Sequence, residues 1–91
     1  MALAFFVLYK IKTLSNQEKE DAKREWDEFK KTMMPNIKLI GEYEHAWGSP
    51  YNGIFILETD DVTQFLEWWP KFRDITRWYV TETRTIICTK A

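Results

Sequence analysis

The chain carries a single cysteine and a single histidine. One cysteine rules out an intrachain disulfide and suits a reducing compartment, so the cytoplasm is the expected location. One histidine cannot build a histidine cluster around a metal, and no zinc-type ligand spacing occurs. Glycine is scarce too, at three residues, and there is no phosphate-cradling loop or nucleophile motif. Neither sign of charge dominates, with thirteen Lys and Arg against fourteen Asp and Glu. That balance leaves no electrostatic footprint for nucleic acid or an anionic membrane. The apolar run Ala2 to Leu8 is too short to span a bilayer and lacks the basic start and small-residue end of a targeting signal. It reads as a strand.

Aromatic residues are plentiful: five Trp, six Phe and four Tyr in 91 residues. A chain of this length makes one small domain over residues 1–91, which buries a modest share of its surface and gains from association. Part of the aromatic surface is therefore expected against a partner.

The stretch Asn52 to Asp61 organises the rest. It opens on turn chemistry at Asn52-Gly53, carries Ile54, Phe55, Ile56 and Leu57 with apolar side chains on both faces, and closes on acids suited to starting a helix. Ala2 to Thr13 reads the same way at first and then alternates toward a wet end. These are two central strands. Ser15 with Glu18 has capping-box spacing, and Ala22, Trp26, Phe29 and Met33 form the apolar stripe of a first helix that Pro35 stops. Ile37 to Trp47 alternates as an edge-like strand, with a bulge or close backbone approach at Gly41 that would change the face of every later residue. Asp61 with Gln64 repeats the capping spacing. Val62, Phe65, Leu66 and Trp69 make a second helical stripe, which Pro70 ends or kinks, with a further turn allowed through Asp74. Trp78 to Thr89 is the last strand. The order strand-helix-strand-strand-helix-strand gives a ferredoxin-like α+β fold: a four-stranded antiparallel sheet with both helices on one face. The other face stays apolar, and a second copy packed sheet to sheet would cover it.

Ile37-Lys38-Leu39-Ile40-Gly41-Glu42-Tyr43-Glu44-His45, a loop, Gly53 to Asp61, a tryptophan-bearing helix and Trp78 to Thr83 together resemble small proteins of the dimeric α+β barrel superfamily. Within it the chain is similar to an uncharacterised prokaryotic family in which a Gly-x-aromatic-His segment ends the second strand and a Val/Leu-Glu-x-Asp-Asp segment ends the third. Here the first is Gly41 to His45, with one extra residue before the histidine, and the second is Leu57 to Asp61. The resemblance implies a homodimer, with higher oligomers open, and a superfamily that includes cofactor-free monooxygenases, haem-binding and haem-degrading proteins, lactone isomerases and amino-acid-sensing domains. Such breadth selects no activity.

His45 shares its strand face with Tyr43 and Trp47. It is either a haem ligand or general base at the mouth of a pocket, or a solvated histidine at a strand end. Trp68 and Trp78 are candidates to line a pocket for a planar ligand, Trp68 because it falls off the helical stripe; Trp69 lies on the stripe and is expected in the core. Glu82 and Arg84 share a face of the last strand, where they orient an anionic or carbonyl substrate or pair with strand neighbours across a dimer. Asp61 is accounted for as a cap, and Asp60 beside it offers too few oxygens for magnesium. Cys88 is expected to be buried rather than reactive. The reading is a homodimer that binds a small hydrophobic or aromatic molecule between sheet and helices, without metal or cofactor. The alternatives are a cofactor-free oxygenase or isomerase, or a haem-binding protein, working through His45, and a structural or regulatory partner domain.

Overall fold

The computed structural model describes residues 2–33, 35–44 and 47–91. The elements run β1 Leu3–Ile11, α1 Asn16–Lys31, β2 Lys38–Glu44, β3 Gly53–Thr59, α2 Val62–Thr76 and β4 Val80–Thr89. The four strands form one sheet in the order β2-β3-β1-β4, and all three neighbouring pairs are antiparallel. The two strands with apolar residues at consecutive positions are thus the central ones, as their composition requires.

Both helices start where the side-chain chemistry demands. Ser15 accepts from the Glu18 amide at 3.1 Å while the Glu18 carboxylate accepts from the Ser15 amide at 3.0 Å, so two orphan donors are satisfied reciprocally. Asp61 caps α2 by accepting from the Thr63 amide at 2.9 Å. Pro70 does not end α2, which runs on to Thr76. The reason lies in packing: Phe72 and Thr76 are buried on the continuing turn, and the Thr76 hydroxyl donates to the Phe72 carbonyl at 2.8 Å.

One sheet face is covered. Phe5, Val7, Phe55 and Leu57 are buried there with Phe65, Trp68 and Phe72 of α2, while Trp26 and Phe29 of α1 pack against the same cluster. Burial of each such side chain contributes roughly 1.5–3 kcal/mol. Much of the aromatic surplus is therefore used inside one chain rather than against a partner.

The other face is open. Ala4, Phe6 and Leu8 of β1 lie beside Ile56 and Ile54 of β3 and beside Cys88, Ile86 and Arg84 of β4, and Ile86 is exposed. In β2 the register shifts between Leu39 and Gly41, leaving Ile40 as the extra residue. The bulge turns Leu39 toward the helices with Leu57, and Tyr43 toward the open face with Ile54. Glu42 consequently lies on the helix side beside Phe55.

Candidate functional site

Trp68 sits at the centre of the space between helices and sheet, 1 % exposed. It stacks on Phe72 at 5.1 Å and 19°, and meets Phe55 edge-on at 6.1 Å. Its off-stripe position pointed to a pocket wall or an interface; instead α2 buries Phe65, Trp68, Phe72 and Thr76, at steps of three and four, and turns Leu66 outward. Trp69 is displaced to a half-buried flank of the core. The pocket expected between sheet and helices is occupied by these rings. One polar atom among them is unpaired: the Trp68 indole nitrogen is buried and has no hydrogen-bond partner among the described residues. An unmet buried N–H costs on the order of 1–3 kcal/mol, so it calls for an acceptor.

At one end of this space the rings reach a polar rim. Tyr9 continues the inward alternation of Phe5 and Val7 and lies 6.1 Å from Phe55, and its hydroxyl occupies the position a Cβ on Gly53 would take. Trp26 donates its indole N–H to Glu42, which also accepts from Lys30 at 3.1 Å. Burial alone would lower the Lys30 ammonium, but its bonds to Glu42 and Asp27 hold it above its usual value. Trp78 donates to Glu25 at 3.1 Å and packs edge-on against Tyr79. Burial, followed by the charges of Glu44 and Glu42, raises the Tyr9 phenol; burial, followed by Glu25 and Tyr9, pushes Tyr79 up to about 12. Both phenols remain neutral hydrogen-bond donors at physiological pH.

The residues picked from the sequence do not converge on this rim. Trp78 is there. Tyr43 lies on the open sheet face with its ring over Gly41, Trp47 is 95 % exposed, and Arg84 stands on the open face beside Leu8. Glu82 pairs with Lys10 of its own chain at 3.3 Å, its cross-strand neighbour, rather than waiting for a partner molecule. Cys88 is exposed, not buried, because it sits on an edge strand on the uncovered face. His45 lies outside the described residues. Among the described residues no three His, Cys, Asp or Glu side chains come together as a metal-binding group, and no helix is long and apolar enough to cross a membrane. Tyr9, Glu25, Trp26, Glu42 and Tyr79 were not singled out as site residues. Tyr9 was legible from the Phe5, Val7, Tyr9 alternation, whereas Glu42 depended on the bulge.

This order of elements on an antiparallel sheet defines a ferredoxin-like α+β protein. Residues 4–84 match the model of a family described as a domain of unknown function, DUF3303, and the chain belongs to that family. Three solved structures are similar to it. A DABB family protein with a ferredoxin-like fold from Mesorhizobium loti is 17% identical, with a TM-score of 0.69 over 99% of this chain and 97% of that one. A dimeric protein of unknown function with a ferredoxin-like fold from Bacteroides fragilis is 14% identical, with a TM-score of 0.65 over 98% of this chain and 96% of that one. An uncharacterised NIPSNAP-like domain protein from Burkholderia xenovorans is 14% identical, with a TM-score of 0.66 over 99% of this chain and 85% of that one. At these identities the likeness speaks for the fold alone. No match was found among curated proteins.

Proposed function

We propose that the chain is a cytosolic homodimer, closed sheet to sheet, that binds a small hydrophobic or aromatic molecule bearing a hydrogen-bond acceptor between its helices and sheet. The observation that carries the ligand reading is the buried Trp68 indole N–H with no acceptor among the described residues. A carbonyl or phenol oxygen placed beside it would satisfy it, and the rings of Phe55 and Phe72 offer the apolar contact a planar molecule needs. Because the rings fill this space in the structure, with Phe29 of α1 packed against Trp68 of α2, binding requires the two helices to part there. The dimer reading is supported by the apolar open face and by the similar Bacteroides fragilis protein, which is described as dimeric.

The test is native mass spectrometry of protein isolated from its own host, with a Trp68→Phe variant beside it. A retained mass that is present in the natural chain and lost or weakened in the variant is the expected result. Empty protein in both removes the binding reading.

A further inference from the structure

Where β1 leaves the sheet and α1 begins, the surface holds an open cleft of about 250 Å³. Ile11, Lys12, Thr13 and Leu14 line it together with Lys19 of α1 and Asn52, the residue just before β3. It is separate from the space around Trp68, because none of these residues belongs to the aromatic core cluster.

The polar groups at its edge are donors. Asn52 Oδ1 accepts from the Ile11 amide at 2.8 Å, so that oxygen is engaged and the NH₂ of the same side chain is the end left for a ligand. Lys12 is held in place. Its ammonium lies 5.6 Å from the centre of the Trp78 ring and 3.7 Å from a Glu18 carboxylate oxygen. Glu18 also accepts from the Ser15 amide in the capping box, and its single charge offsets only one of the two lysines. Lys19 makes no ion pair among the described residues. Its position is a poor one for a cation: it is the fourth residue of α1, near the positive end of the helix dipole, where an ammonium weakens the helix. An anion in the cleft reverses that effect, since it neutralises the ammonium and is itself favoured by the dipole.

The remaining walls are apolar. Ile11 and Leu14 are half-buried, so a bare inorganic anion would leave their contact unused, while the two ammonium groups repel a metal ion. The volume falls just below that of pockets for drug-sized ligands, which suits a molecule of one ring.

We propose that this cleft binds a small organic anion, a carboxylate with an apolar body, whose oxygens lie between Lys12, Lys19 and the Asn52 amide. Both lysines are exposed, so solvent screening keeps the binding weak and sensitive to salt.

The experiment is an NMR titration of the isotope-labelled full chain with benzoate, and with benzamide as its uncharged counterpart, at low and high salt. Benzoate should move the signals of Ile11 to Leu14, Lys19 and the Asn52 side-chain amide along one saturating curve, more weakly at high salt. Benzamide should leave them in place. Lys19→Gln should weaken binding about fivefold, the size of one exposed charge contact. Asn52→Asp keeps an oxygen for the Ile11 amide but sets a carboxylate against the ligand, and should abolish binding. Trp68→Phe should leave it unchanged, which separates this cleft from the space between helices and sheet. Shifts that do not saturate, that spread over lysines elsewhere, that depend on Trp68, or that survive both Lys19→Gln and Asn52→Asp overturn the proposal.

Discussion

Phe5 of β1 and Phe65 of α2 stack almost face to face, with ring centroids 4.1 Å apart and planes at 12°. This contact ties the second helix to the middle of the sheet. Phe65→Ala should cost about 3–5 kcal/mol in urea unfolding, because transfer and cavity terms add. Leu66→Ala, at the adjacent position but 62 % exposed, should change stability by no more than about 0.5 kcal/mol. Equal losses at the two positions would mean that α2 is rotated from the orientation described.

Two glycines of the sheet should answer differently to the same methyl group. At Gly53 an added Cβ would fall 2.6 Å from the Tyr43 carbonyl oxygen and also collide with the Tyr9 ring. Backbone cannot swing aside, so Gly53→Ala should destabilise by about 1–3 kcal/mol through overpacking. At Gly41 the Cβ would meet Cε2 of Tyr43 at 2.9 Å, the far end of an exposed side chain that can rotate away. Gly41→Ala should cost less than about 1 kcal/mol. Chemical denaturation of both variants checks the order.

The Tyr79 phenol gives stability a dependence on alkaline pH. Its folded value of about 12, raised first by burial and then by Glu25 and Tyr9, lies above the ordinary unfolded value of about 10. Between those values the folded chain holds a proton that the unfolded chain has lost, so stability falls as pH rises. The contribution is complete below about pH 10 and is lost on rising through about pH 12. Phenolate absorbance should show a late-titrating tyrosine that disappears in Tyr79→Phe, and that variant should lose part of the alkaline slope. A Tyr79 that titrates with the exposed tyrosines would contradict the burial described.

How far the fold can be read from residues alone depends on how many faces each element has to satisfy. The central strands declare themselves because Ile54 to Leu57 and Phe5 to Leu8 are apolar at consecutive positions, and Ser15 and Asp61 mark both helix starts by side-chain chemistry. α2 is harder. Val62, Phe65, Leu66 and Trp69 form one plausible stripe and Phe65, Trp68, Phe72 and Thr76 another, offset by part of a turn. Periodicity cannot choose between two adjoining apolar stripes; only the sheet beneath them does. β2 fails for a different reason. A single extra residue at Ile40 sends Tyr43 to one face and Glu42 to the other, and Gly41 signalled a bulge without fixing its register. Of the rim, only Glu42 depended on that register; Tyr9 follows from the alternation of Phe5, Val7 and Tyr9 along β1.

At the centre of the open sheet face Phe6 and Ile56 lie side by side. The mass of the chain in solution by light scattering, measured over a range of concentrations alongside Phe6→Glu, tests the sheet-to-sheet dimer directly. The natural chain should travel as an even number of copies, and the glutamate, placed in the middle of the apolar face, should lower that number while helix and strand content stay the same. A natural chain with the mass of one copy at every concentration would contradict the account.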